Sequence, residues 1–157
     1  MGLRENILRE PISVLQLRPY AAVTADATVR QAVEAMRDKQ IGAAMIVDEA
    51  GKTLGMFNEK MLIRLLINDP TLLDEPVEKH MTTNIFTVQA SDPIARLIST
   101  MQNRRLRWVS INDAEGRPTA LTGLRGVVEY VADYFPHQVK VQPIDGSKVS
   151  IKTREGA

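Results

Sequence analysis

Residues 43–62 run "AAMIVDEAGKTLGMFNEKML", and residues 108–127 run "WVSINDAEGRPTALTGLRGV". In each, a short apolar run enters a polar turn holding Asp and Gly, a second short run follows, and a stretch with one broad apolar side begins. Asp48 falls on Asp113 and Gly51 on Gly116 at a common offset of 65 residues. Two apolar runs joined through D-E-A-G-K or D-A-E-G-R make a β-hairpin with a turn of several residues. The two aspartates then have a turn-forming role that needs no catalysis.

The same offset, without a gap, pairs Glu10-Pro11 with Glu75-Pro76, Val23 with Val88, Ala25 with Ala90, Met36 with Met101 and Ile46 with Ile111. This is the mark of an internal duplication. Ahead of the first hairpin, Val29, Ala32, Val33 and Met36 recur at helical intervals, with Thr28 and Gln31 placed as an N-cap and its reciprocal partner. Ahead of the second, Ile94, Leu97, Ile98 and Met101 repeat the stripe, with Asp92 expected as the cap and Pro93 in the first turn. Helices also follow the hairpins, at "EKMLIRLLIN" and "RGVVEYVADYF", and short helical turns precede each copy at "PISVLQL" and "PVEKHM". Each copy thus runs strand, helix, strand, strand, helix. A sheet of about three strands cannot cover both its faces alone, so the copies must pack together. The link "NDPTLLDEP" between them suits a surface connection.

Composition narrows the function. Twenty basic and nineteen acidic side chains leave a formal charge of +1, so no overall field gathers nucleic acid or anionic lipid. The chain has no cysteine, which removes disulfides and thiolate nucleophiles and is compatible with a cytoplasmic setting. The start "MGLRENILREP" is too charged for a signal peptide, and no apolar run approaches the roughly 20 residues that span a bilayer. Serines lack a nucleophile-elbow pattern, no Gly-rich phosphate loop is present, and His80 and His137 lie far apart without metal-ligand spacing. No enzyme and no metal site is indicated. Trp108, which matches Ala43 of the other copy, is expected in a core or inter-repeat contact.

From Pro11 to Tyr134 the duplication and the order of its patterns resemble a tandem pair of CBS domains, the Bateman module. The fold implied is α+β, two pseudo-twofold-related repeats, each a small three-stranded sheet with two helices on one side. The division expected is a helical extension over 1–10, repeats at 11–69 and 76–135, and a C-terminal extension over 136–157. The resemblance also implies two clefts between the repeats, adenosine-containing ligands such as AMP, ADP, ATP or S-adenosylmethionine, and a homodimer.

Family members that hold an adenine nucleotide usually place a Thr or Ser, and an Asp three residues on, where the last hairpin strand meets the second helix. The matching positions are assigned to Phe57 and Lys60 in the first copy and to Thr122 and Arg125 in the second. Cations replace both carboxylates and cannot accept hydrogen bonds from a ribose diol. Glu59, one position earlier, is turned by about 100° and is expected to point elsewhere. The second copy keeps Thr122, Arg125 and Arg107 as candidate ligand contacts, with Ile85, Phe86 and Thr87 as the apolar wall; Arg104 and Arg105 are expected to end a helix. Phe57 is expected to fill the first cleft.

The expectation is a non-catalytic regulatory module that signals by a change of repeat packing to an unknown effector protein. The alternative is a ligand-free dimerisation scaffold with degenerate clefts. Beyond the repeats, Val139 and Val141 alternate like one strand and Val149 and Ile151 like another, around a turn at 145–147, which suggests a hairpin or a tail; Leu3, Ile7 and Leu8 suggest a short helix covering a neighbouring subunit.

Overall fold

The structure, a computed structural model, describes residues 2–134. It contains helices α1 (Leu3–Arg9), α2 (Val29–Asp38), α3 (Glu59–Asn68), α4 (Ile94–Arg104) and α5 (Leu124–Tyr134). The strands are β1 (Ala21–Thr24), β2 (Ala43–Val47), β3 (Thr53–Asn58), β4 (Thr87–Val88), β5 (Trp108–Asn112) and β6 (Pro118–Gly123). Two three-stranded sheets result, β1-β2-β3 and β4-β5-β6, each with a parallel first pair and an antiparallel hairpin. The architecture is α+β, as the duplication requires.

Local chemistry explains the elements. The Thr28 hydroxyl accepts the Gln31 N–H while the Gln31 side chain accepts the Thr28 N–H, the reciprocal cap read from the sequence. In each hairpin turn one aspartate oxygen takes two backbone N–H groups, Asp48 from Ala50 and Lys52, Asp113 from Glu115 and Arg117. Gly51 and Gly116 follow at φ 78° and 84°, a left-handed conformation that glycine adopts without steric cost. Both hairpins carry a register shift at the same place, after Ile46 and after Ile111.

One cap differs from expectation. Pro93 occupies the N-cap of α4 without a side-chain bond, and Asp92 instead accepts the Gln89 N–H at 2.8 Å and pairs with Arg96. Pro93 has a ψ of 146°, so the chain stays extended for one more residue and the helix opens at Ile94.

The cores show how the copies interlock. Ile12 and Leu15, from the turn ahead of β1, are buried with Val88, Ile94, Leu97, Val109 and Ile111 of the second copy. Val77, from the turn ahead of β4, is buried with Val29, Ala44, Ile46 and Phe57 of the first. Matching backbone bonds hold both exchanges: Ile12 N–H to Asp92 O and Val77 N–H to Ala27 O. Ile12 and Val77 are fully buried, and such burial contributes about 1.5–3 kcal/mol per side chain. Each copy therefore completes the other.

Ile7 of α1 packs against the second core, and α1 lies on α4 of its own chain. Trp108 packs on the first core although it belongs to the second copy, an inter-repeat contact. The tail from Phe135 onward, with the strands expected over 139–151, lies outside the described residues.

Candidate functional site

The exchange of lead-in segments builds two clefts between the copies. The segment ahead of β1 pairs with β6, Arg18 and Leu121 exchanging both backbone bonds, and the segment ahead of β4 pairs with β3 through Met56 and Thr82. Each cleft is thus walled by one copy's strand–helix junction and the other copy's lead-in segment.

Those junctions lie one residue later than the sequence reading placed them. β3 runs through Asn58, whose side chain caps α3 by accepting the Met61 N–H at 3.2 Å. Phe57 is a fully buried core residue and lines neither cleft, so it does not fill the first one. At the second junction β6 ends with Gly123 and α5 opens at Leu124. Counting three residues on from the junction leads to Met61 and Gly126 rather than Lys60 and Arg125. Neither is a carboxylate. Thr122, within the strand, is 1% exposed, and its hydroxyl oxygen has no hydrogen-bond partner among the described residues. An unpaired buried hydroxyl costs free energy unless something satisfies it.

The larger cleft, about 870 Å³, lies at the second junction. Arg18, Arg105, Arg107 and Arg125 line it, with Thr122, Gly123 and Gly126 from β6 and α5 and with Gly42 and Glu59 from the first copy. Arg125 is not free: its Nε donates to Glu129 Oε1 at 2.8 Å, and the same oxygen accepts from Arg18 at 2.9 Å. The Arg125 hydrogen bond, with the charge of Arg18 beside it, holds the Glu129 carboxyl below its usual range. Arg107 makes one long ion pair, 3.9 Å, to Glu59, and both side chains remain half-exposed or more. Arg105 caps α4 in the left-handed region at φ 52°, a conformation shared by the matching Gln40.

The smaller cleft, about 280 Å³, lies at the first junction. Ile85 and Phe86 line it together with Thr82, Asn84, Lys60 and Met61, while Arg107 borders both clefts. The apolar wall expected beside Thr122 therefore stands in the other cleft, because the lead-in segments cross over. Thr87 lines neither cleft; it pairs with Ser110 inside the sheet. Phe86 also receives two guanidiniums on its ring, Arg104 at 5.4 Å and Arg96 at 5.8 Å, so Arg104 is occupied at its helix end.

Of the six candidate residues, Thr122, Arg125 and Arg107 come together and Ile85 and Phe86 stand with Arg107 on the far side. Sequence reasoning missed Arg18 and Gln16, whose approach depends on the crossover. It also missed Glu129, although the spacing of Arg125 and Glu129 along one helix face was a usable signal. Glu59, expected to turn away, borders both clefts. The arrangement can hold an anion by bidentate guanidinium contacts and offers the start of α5 to it. Among the described residues no group of three or more His, Cys, Asp or Glu lies together, and no helix is long and apolar enough to cross a membrane.

Comparison with known proteins agrees with this architecture. The family model of the CBS domain matches residues 13–68 and 77–133. An uncharacterized 17.7 kDa protein of Acidianus ambivalens is 22% identical over 127 residues, 81% of this chain and 76% of that protein. The CBS domain pair of protein MJ0100, solved in complex with 5′-methylthioadenosine and S-adenosyl-L-methionine, superposes with a TM-score of 0.71 at 17% identity, over 79% of this chain and 97% of that one. A CBS domain protein of Pyrobaculum aerophilum complexed with AMP superposes with a TM-score of 0.67 at 19% identity, over 78% and 98%. At these identities the likeness is one of fold.

Proposed function

Because the chain belongs to the CBS domain family, with two copies of the domain in tandem, we propose that it is a non-catalytic regulatory module that takes an adenine nucleotide or related adenosyl ligand in the large cleft. One observation carries the reading: four arginines converge on an inter-repeat cleft whose floor holds the buried, unpaired hydroxyl of Thr122. AMP, and 5′-methylthioadenosine with S-adenosyl-L-methionine, in two structures of the same fold support the ligand class. A ligand touching both copies favours one relative packing over another and so shifts the population that an effector protein meets. Guanidiniums favour phosphate over the cationic sulfonium of S-adenosylmethionine. The setting proposed is cytoplasmic, and the unit a homodimer.

The rival reading is a ligand-free interaction scaffold. It is favoured by exposed Ile63, Leu66 and Ile67 on α3, apolar side chains available to a second copy.

A thermal-shift series with AMP, ADP, ATP, S-adenosylmethionine and NAD separates the two. A ligand at a hundred times its Kd stabilises the folded state by about 2.7 kcal/mol. A saturable rise in melting temperature, weakened in Arg107→Ala, supports the sensor; a flat response across the panel assigns the protein to the scaffold class.

A further inference from the structure

We propose that Glu59, reaching from the first copy, is the specificity residue that receives the vicinal hydroxyls of the ligand in the large cleft; this rests on the adenosine reading above. Both positions from which a ribose carboxylate would come, Met61 and Gly126, lack one. Among the described residues that line the large cleft, Glu59 is the one carboxylate.

Its placement is built into the backbone. The Glu59 N–H donates to Gly42 O at 3.1 Å, which fixes the first residue of α3 beside the entry to β2. The carboxyl group then lies over Gly42, so closely that a Cβ there would stand 2.5 Å from Glu59 Cδ and 2.6 and 2.7 Å from its oxygens. Gly42 matches Arg107 of the second copy. The first copy thus has an open space where the second has a long side chain, and the carboxylate occupies it.

Glu59 also has capacity to spare. No hydrogen bond engages its carboxylate among the described residues, and its ion pair with Arg107 is 3.9 Å long, too far for a direct hydrogen bond. An ionised carboxylate has about four acceptor sites and no donor, which matches two adjacent hydroxyls and rejects their absence. The neighbouring glutamines of the cleft offer a neutral carbonyl, a weaker acceptor. The cleft therefore carries two stations, a diol acceptor at Glu59 and Gly42 and an anion holder at Arg18 and Arg125 by α5.

The test is calorimetric titration of the full chain with AMP and ATP, each beside its 2′,3′-dideoxy counterpart. Wild-type protein should bind the ribonucleotide at least about tenfold more tightly, the discrimination expected from a charge-assisted hydrogen bond. Glu59→Gln should shrink that gap to about threefold or less and leave the dideoxy compound bound as well as before, because the amide oxygen is the weaker acceptor. Gly42→Ala, which keeps the charge and displaces the carboxyl group, should narrow the gap likewise. Unligated melting temperatures show that both variants fold. Equal binding of the two sugars by wild type, or a gap that survives both substitutions, overturns the role of Glu59 and leaves the nucleotide reading intact. Failure of wild type to bind any of the four compounds, with no saturable thermal shift from ADP, S-adenosylmethionine or NAD, overturns both.

Discussion

Residues 57–61 and 122–126 hold equivalent places in the two copies, yet one junction is filled and the other is bare. Asn58, Glu59, Lys60 and Met61 line the first, with Phe57 buried in the core behind them, whereas Thr122, Gly123, Leu124, Arg125 and Gly126 line the second, and the adjoining clefts measure about 280 and 870 Å³. Frame and site are under different constraints. Strand register, turn bonds and exchanged lead-in segments repeat almost bond for bond, because each is required to bury a core. At the junctions packing fixes Phe57, Thr122 and Gly123, while Glu59, Lys60, Leu124 and Arg125 stand exposed at the clefts and are not dictated by a core.

The strongest test of that contrast sets position 57 against position 122. Phe57→Ala should cost about 3–5 kcal/mol in urea unfolding, since the ring is fully buried in the first core. A cost near zero would mean that the first junction is as loosely determined as the second.

Gly123→Ala should follow, at about 1–3 kcal/mol, because the new methyl meets backbone that cannot step aside. A Cβ at Gly123 would lie 2.6 Å from Arg107 O. Bareness at that point is thus steric as well as functional, and a neutral outcome would show that the second junction yields.

Capping gives a smaller difference. Asn58→Ala removes the bond to the Met61 N–H and should cost about 1 kcal/mol, whereas the second junction has only Gly123 in that place.

A further contrast appears only in alkali. Tyr130 of α5, which matches Leu65 of α3, donates to Glu10, and partial burial together with that bond pushes its hydroxyl from 10.0 up to about 12. A group with a raised folded pKa favours folding in its protonated form. Its contribution is full below pH 10 and fades as the pH rises toward about 12. Unfolding followed across that window should show this loss in wild type and its absence in Tyr130→Phe.

The smallest effect is expected at Thr122. Thr122→Val replaces an unpaired buried hydroxyl by a methyl, so the stability of the empty protein should change by less than about 1 kcal/mol in either direction. A larger loss would mean that the oxygen has a partner in solution.

Much of the frame was legible from the chain. The offset between the copies, the capping pair Thr28 and Gln31, and the Asp and Gly of each turn are short-range signals, and the structure places each as expected. The start of α4 lies one residue later than expected, with Pro93 extended at the N-cap and Asp92 bonded to the Gln89 N–H instead. The site was less legible. Thr122 came from the family resemblance and Arg107 from its place at the entry to the second hairpin, but the wall of Ile85 and Phe86 was assigned to the wrong cleft. A one-residue error at the junction also hid Asn58, Met61 and Gly126, because periodicity alone does not say on which residue a strand ends.

Sequence by itself determined the duplication and the order of elements within each copy. Those follow from hydrophobic spacing and turn chemistry, which act over a few residues. Tertiary structure alone decided that the lead-in segments cross between copies, that Arg18 and Arg125 share Glu129, and that Glu59 lies over Gly42. The reason is physical: a three-stranded sheet must borrow its cover from elsewhere in the chain, and which residues then meet across the borrowed surface depends on contacts far apart in sequence.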